Sequence, residues 1–322
     1  MPELPEVQTI VNGLTKKIIG KQILFLKEFR RNTVINHTEI NSPNFGKIVS
    51  ILRRGKYIVF VTSNGFKIVI HLRMTGKLIY VVTETELPAH TRAVFGFSDG
   101  SELVFDDTRA FGKVEIYKEE ETVRALENLG IEPLSENFNE NYLKNMFVGR
   151  KSPIKNLLLN QSIVAGLGNI YVCEILYRAE INPQVSGKNL LPQQIRKIVK
   201  QTKIVLKEAI LHNGTTISDF RNIEDKTGEF QNFLRVYQKK ECPKGNQIRK
   251  IKQTGRSTYF CPKCQRIDSQ QSAVSKSAIS NQQSAVSNQQ SAVGNQQSEI
   301  SSRQSEVSSR RVGVSSGQPV KE

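Results

Sequence analysis

Apolar positions recur at steps of three and four soon after the second proline. Val7, Ile10, Val11, Leu14 and Ile18, closed by Gly20, predict an amphipathic helix over 5–19. A helix so near the start pins the N-terminus against a core. From 21 to 117 the pattern changes to short β-branched runs at 57–62, 67–71, 77–82 and 102–105. Asn64-Gly65 and Asp99-Gly100 divide them, and both dipeptides favour tight hairpins. This predicts an antiparallel sandwich or barrel. Helical periodicity returns from 121 to about 213, with segments at 154–159, 169–177 and 192–211. Residues 235–267 then predict a small β-hairpin that carries cysteines. After Asp268 the chain turns to Gln, Ser, Asn, Ala and Val, with NQQSAVS at 281 and NQQSAVG at 288. In each repeat the apolar pair is adjacent, Ala285 with Val286 and Ala292 with Val293, in place of separated heptad positions. That predicts a disordered tail and no coiled coil. The fold class is therefore α+β, with boundaries at 1–120 (β-sandwich), 121–232 (helical), 233–267 (hairpin) and 268–322 (tail).

Charge sharpens this outline. The 322 residues hold 46 Lys+Arg against 30 Asp+Glu, a formal +16, of which 269–322 contribute only +2, leaving +14 on the rest. Cations concentrated on the folded part point to a polyanionic partner and against a purely structural role. No apolar run approaches the length of a membrane span, and four cysteines are too few for a disulfide scaffold. Two glutamates precede the first lysine, unlike a secretory signal, so a reducing cytosol is the expected compartment.

Chemistry-bearing residues fall in short motifs. Removal of Met1 would leave Pro2 with a free secondary amine. An α-amino group titrates near 8, so roughly a tenth is unprotonated at neutral pH. Such an amine attacking an acetal carbon gives an iminium, which acidifies the adjacent proton and permits elimination. Glu3 beside it is placed to move protons, while Pro2, Pro5 and Glu6 could equally serve to open a helix. In Arg53-Arg54-Gly55-Lys56-Tyr57, Lys56 is expected at a loop tip, neutralising phosphate or donating a proton. His71-Leu72-Arg73-Met74-Thr75-Gly76 and Asp107-Thr108-Arg109-Ala110-Phe111-Gly112 each end a strand. Met74 and Phe111 are either core residues or the apolar plugs that fill a base stack when a base is extruded. Gly166-Leu167-Gly168-Asn169 opens a helix whose free N–H groups could hold a phosphate, with Lys151 and Lys155 upstream; Cys173 reads as core. Cys261-Pro262-Lys263-Cys264 suits a zinc knuckle, but upstream only Cys242 stands, with Gly245 at the second position of the pair. Three cysteines could bind zinc with a water or carboxylate completing the set, or bind none.

Together, PELPEV, GKY, HLRMTG, DTRAFG, GLGNIY and GRSTYFCPKCQ, in that order from Met1 to about Gln265, resemble the bacterial formamidopyrimidine-DNA glycosylases, also called 8-oxoguanine DNA glycosylases. The resemblance implies an N-terminal β-sandwich, a helix-two-turns-helix domain and a zinc-ribbon-like hairpin, with double-stranded damaged DNA in the cleft between the lobes. It implies Pro2 as Schiff-base nucleophile, Glu3 as proton donor, Lys56 and Arg256 as proton donors of β- and δ-elimination, and Glu6 as a supporting carboxylate. Met74, Arg109 and Phe111 would fill the gap left by the flipped base. His71, His90, Lys151, Lys155 and Asn169 would contact the DNA backbone, and Gly214, Thr215 and Thr216 fall in the lesion-recognition loop. Cys242, Cys261 and Cys264 would hold structural zinc. A monomer acting in base-excision repair, without membrane attachment, is expected. An endonuclease VIII-like preference for oxidised pyrimidines, or a lesion-binding protein with impaired catalysis, are the alternatives. The ribbon departs from the family pattern, which has two C-x-x-C pairs where this chain has one pair and Cys242.

Overall fold

The computed structural model describes residues 1–82, 86–216, 220–224 and 226–267. The predicted tail at 268–322 lies outside the described residues.

The first helix, α1 (Leu4–Ile18), begins on Glu3, whose backbone N–H donates to Glu6 Oε2 at 2.8 Å. Its last turn carries Lys16 and Lys17, where cations complement the helix dipole. Nine strands follow: β1 (Ile23–Glu28), β2 (Val34–Asn36), β3 (Ile48–Arg54), β4 (Tyr57–Thr62), β5 (Phe66–His71), β6 (Gly76–Val81), β7 (Thr91–Phe97), β8 (Glu102–Asp107) and β9 (Lys113–Lys118). They form two sheets, in orders β1-β7-β8-β6 and β2-β9-β5-β4-β3. Asn64-Gly65 joins β4 to β5 and Asp99-Gly100 joins β7 to β8, each glycine at a positive φ that a Cβ would strain. The sandwich is not wholly antiparallel, because β2 pairs with β9 in parallel at the sheet edge.

Short helices α2 (Arg124–Glu127), α3 (Glu140–Phe147), α4 (Ile154–Leu159) and α5 (Asn169–Arg178) precede the long α6 (Pro192–Leu211). Strands β10 (Arg249–Gln253) and β11 (Arg256–Phe260) form the terminal hairpin, paired from Arg249 with Phe260 to Gln253 with Arg256.

Helix α1 sits between two cores. Val7, Ile10, Val11, Leu14 and Ile18 pack with the sandwich interior, whereas Leu4 belongs to the helical core around Tyr171, Phe138 and Phe147. Truncating one such buried Leu or Ile typically costs about 2–5 kcal/mol, so this helix is held from both sides. The result for function is positional: residues 2 and 3 lie at the seam. A third cluster, of Cys173, Tyr177, Val236, Cys242 and Cys261, seats the hairpin on α5.

Candidate active site

Pro2 and Glu3 are buried, and they line up with groups from both halves of the molecule. The Glu3 carboxylate caps α5 from a distance of 167 residues: Oε1 accepts from Ile170 N–H at 3.0 Å and Oε2 from Tyr171 N–H at 3.3 Å. A carboxylate on these unsatisfied donors meets the positive end of the helix dipole. The expectation that this helix start binds phosphate is therefore corrected, since the anion it holds is Glu3 itself. The glycines of GLGNIY now have a reason. A Cβ on Gly168 would lie 2.2 Å from the Glu3 carboxyl carbon. One on Gly166, at φ +85, would lie 2.8 Å from Leu4.

Glu6 is the second organiser. Its Oε1 accepts from the Tyr171 hydroxyl and, at 2.7 Å, from Thr215 N–H, while Oε2 takes the Glu3 N–H. One buried carboxylate thus joins the helix start, α5 and the segment that follows α6. Gly214, at φ +77, leaves room for it, because a Cβ there would come within 2.7 Å of Glu6 Oε1. Thr216 Oγ1 accepts from Gly228 N–H at 2.8 Å, so both ends of the described loop are tied together.

Lys56 lies between β3 and β4 and is 7% exposed, turned inward and away from solvent. Its two arginine neighbours do not line a phosphate track. Arg53 and Arg54 bind Glu132 at 2.6 and 3.1 Å, and Arg54 also donates to the Leu129 and Gly130 carbonyls. Gly55 N–H donates to the same Glu132 at 2.6 Å, which fixes the loop that carries Lys56.

The electrostatics separate these groups. Burial pushes the Glu3 carboxyl above its ordinary range, opposed by the charge of Lys56. Glu6 rises to about 7 through burial and then the neighbouring Glu3. Burial pushes Lys56 down, with Glu3 opposing and Arg256 adding to the shift. Acids raised and an amine lowered bring proton donors and acceptors towards working pH. Arg256 stands exposed at the tip of the β10–β11 hairpin, after Thr254 and Gly255 at positive φ, and its charge reaches Lys56.

Pro2, Glu6, Met74, Ile170, Thr215 and Tyr237 line one cavity of about 320 Å³, at the small end of ordinary ligand clefts. Met1 lines it too, so removing Met1 frees the Pro2 nitrogen and enlarges the space beside it.

Two loops form an exposed rim. Met74 is 41% and Phe111 52% exposed, so neither is a core residue, and the Arg109 guanidinium lies 4.8 Å from the Phe111 ring centre. Asp107, fully buried, knits the two loops by accepting from the Thr75 hydroxyl, from Arg109 N–H at 3.2 Å and from Gly112 N–H at 2.8 Å. Its role was hidden in the DTRAFG motif. Lys151 and His90 are exposed. His71 is buried, with Nδ1 accepting from Arg73 N–H, and burial together with Arg73 and Lys56 pushes it down to about 3. It can meet a phosphate only as a neutral N–H donor. The assignment of Lys155 to phosphate is corrected: it is fully buried, and its ammonium donates to Thr258 Oγ1 at 2.6 Å and Ser257 O at 3.3 Å. Asn169 also donates to Ser257 O, at 2.9 Å, so both residues fasten the hairpin beside Arg256.

Comparison with known proteins decides the family. The model for the formamidopyrimidine-DNA glycosylase N-terminal domain matches residues 1–114, that for its H2TH domain 129–221, and that for the zinc finger found in FPG and IleRS 245–267. The formamidopyrimidine-DNA glycosylase of Pelotomaculum thermopropionicum is 38% identical over 277 residues, covering 83% of this chain and all of the relative. The chain belongs to the formamidopyrimidine-DNA glycosylases. The Wolbachia enzyme from Brugia malayi is 39% identical over 270 residues, covering 82% of the chain and all of the relative. Among solved structures, Lactococcus lactis Fpg with abasic-site DNA superposes with a TM-score of 0.76 at 33% identity, over 82% of this chain and all of that one. MutM with DNA containing carbocyclic 8-oxo-G gives 0.76 at 34%, over 83% and 100%.

In this member of the formamidopyrimidine-DNA glycosylases the zinc finger is three-cysteine. The sulfurs of Cys242, Cys261 and Cys264 all lie within 4.8 Å of one another, close enough to occupy three corners of a tetrahedral site with Zn–S bonds of about 2.3 Å. These residues fit structural zinc and would hold it. No fourth His, Cys, Asp or Glu joins them among the described residues. When bound, zinc supplies folding energy and no step of the reaction.

Proposed function

We propose that this chain excises oxidised purines from double-stranded DNA with Pro2 as the nucleophile, and then cuts the strand at the resulting abasic site. It is a bifunctional glycosylase and abasic-site lyase of base-excision repair. With Met1 removed, the Pro2 nitrogen attacks C1′ of the damaged nucleoside, the glycosidic bond breaks, and the base departs with a proton. Glu3, pushed above its ordinary range by burial, delivers a proton to the opening sugar. The iminium then acidifies the C2′ proton; its loss expels the 3′ phosphate, and a second elimination expels the 5′ phosphate. Lys56, lowered by burial, serves the first elimination and Arg256 the second. Hydrolysis of the remaining Schiff base frees Pro2. Met74, Arg109 and Phe111 fill the space left by the extruded base. Lys151, His90 and neutral His71 meet the backbone, and 214–216 contact the lesion.

The observation that carries this reading is the seam itself: Pro2 and Glu3 buried at the start of α5, with Lys56 and Glu6 tuned by the same enclosure. The 8-oxo-G and abasic-site DNA named for the structural relatives support the substrate class. We assign catalysis to 1–120, DNA docking to 121–232 and Arg256 presentation to 233–267. We place the protein as a monomer in a bacterial cytosol with the chromosome; no helix of the described residues is long and apolar enough to cross a membrane.

The test is a blocked terminus. An N-acetylated or extended Pro2 should lose cleavage of an 8-oxoguanine duplex while keeping duplex affinity, and retained cleavage would refute the nucleophile. Excision of 8-oxoguanine should exceed that of thymine glycol; the reverse order would favour the pyrimidine-directed alternative.

A further inference from the structure

The metal hairpin has two segments that share the C-P-K-x spacing but differ in ligands and in backbone hydrogen bonds. In one, Cys261 and Cys264 stand three apart, and Gln265 N–H donates to Cys261 O at 2.8 Å. In the other, Cys242 N–H donates to Asn246 O at 2.9 Å and Gly245 N–H to Cys242 O at 2.8 Å. In sequence spacing, Gly245 stands to Cys242 as Cys264 stands to Cys261. A Cβ at Gly245 would meet nothing within 4 Å, so this corner is open space.

The neighbours do not close it. Asn246 Nδ2 donates to Cys264 Sγ at 3.7 Å, and among the described residues no fourth His, Cys, Asp or Glu stands with the three sulfurs. Tyr177 packs in the same buried cluster as Cys242. Cys242 and Cys261 are buried, whereas Cys264 is partly exposed and Gly245 fully so, which makes the open corner the solvent-facing one. Lys244 and Lys263 sit exposed, one in each knuckle, and favour an anion there. A borderline-soft ion already held by three thiolates accepts a fourth soft donor readily.

We propose that the hairpin zinc of this chain keeps one exchangeable coordination position on the Gly245 side, and that it takes a low-molecular-weight thiolate as an external fourth ligand. Bound there, the thiol would coordinate as RS⁻, its proton passing to solvent in exchange for a water ligand; no electron would be transferred. The position also makes the metal labile, because a chelator can attack through it without first displacing a protein ligand. The inference does not rest on the glycosylase reading, since every readout below is taken without DNA.

Cobalt(II) loaded into the full chain reports the ligand set by absorption. Titration with mercaptoethanol should shift the ligand-field bands of the wild type and strengthen its sulfur-to-cobalt charge-transfer band. Gly245→Cys should show the four-sulfur spectrum at the outset and ignore added thiol. Its zinc should pass to a chromophoric chelator on the order of tenfold more slowly than that of the wild type. Because position 245 has φ +70, Asn246→Cys serves as a second variant should Gly245→Cys misfold. A wild-type cobalt spectrum that does not respond to thiol overturns the proposal, as does failure to bind cobalt or equal zinc release from wild type and a folded four-cysteine variant.

Discussion

The catalytic seam and the hairpin are both held to α5, but in opposite ways. At the seam, charged groups are buried and fully used: Glu3 caps the helix, Glu6 gathers Glu3, Tyr171 and Thr215, and burial shifts both carboxyls upward. On the hairpin Arg256, the cation proposed for the second elimination, is exposed and the cysteine set is one ligand short. Protein contacts also hold the hairpin. Glu174, fully buried, accepts from the N–H groups of Arg235, Val236 and Tyr237, each at 2.9 Å, while Lys155 and Asn169 hold Ser257 and Thr258. Gln265 adds a further tie, donating to Ile181 O and accepting from Cys261 N–H, both at 2.8 Å. Burial tunes the seam, and the hairpin is held by hydrogen bonds as well as by its cysteine cluster.

Breaking the seam should have the largest effect. Glu3→Gln removes both the proposed proton donor and the charge on the α5 start, and base excision should fall by roughly 10²–10⁴-fold in single-turnover assays. A loss below about tenfold would remove Glu3 from the chemistry.

On the hairpin side, Glu174→Ala orphans three N–H groups together and should destabilise by about 3 kcal/mol. Hydrogen exchange would show whether the loss is local, with 235–260 opening before the sandwich.

Stability against pH sharpens the contrast. Glu6 titrates near 7 when folded and at 4.5 as a free side chain, so the native state holds its proton more tightly. Its contribution is full below pH 4.5 and is lost as pH rises to 7, on the order of 3 kcal/mol. His71 acts oppositely, losing its contribution as pH falls from 6.5 towards 3. The difference in unfolding free energy between wild type and Glu6→Gln, followed from pH 4.5 to 7.5, isolates the Glu6 part and should slope accordingly; a flat difference would contradict the burial of its charge.

A smaller change is expected from zinc removal. Zinc-finger peptides unfold without metal, but this hairpin keeps its contacts to α5, so chelation should cost on the order of 1–2 kcal/mol and a few degrees of melting temperature. Smallest of all, Phe111→Ala should leave stability within about 0.5 kcal/mol while lowering lesion excision, because an exposed ring has little folding role to lose.

Much of this was legible along the chain. Periodicity marked α1 and α6, and the Asn-Gly and Asp-Gly turns marked two hairpins. The six motifs named the family and most of the residues at the seam. Local patterns could not reveal partners that meet across the fold. Nothing near Gly166 announces that its helix start is occupied by Glu3, and nothing in the Arg53-Arg54-Gly55-Lys56 cluster announces that Glu132, almost eighty residues on, binds both arginines. Lys155 reads as a surface cation because a lysine buried on a hydroxyl and a carbonyl has no sequence signature. Asp107, Glu132 and Glu174 were missed for the same reason: each carboxylate works through backbone N–H groups or side chains of other elements, and such donors leave no trace in residue type.

The most direct measurement is borohydride trapping on a duplex with one 8-oxoguanine opposite cytosine, using protein whose Met1 removal has been checked by mass. A covalent adduct on the lesion strand, absent with undamaged duplex and absent when the Pro2 amine is blocked, is the expected result. Tight duplex binding with no trapped adduct would contradict the Pro2 chemistry and leave a lesion-binding protein in its place.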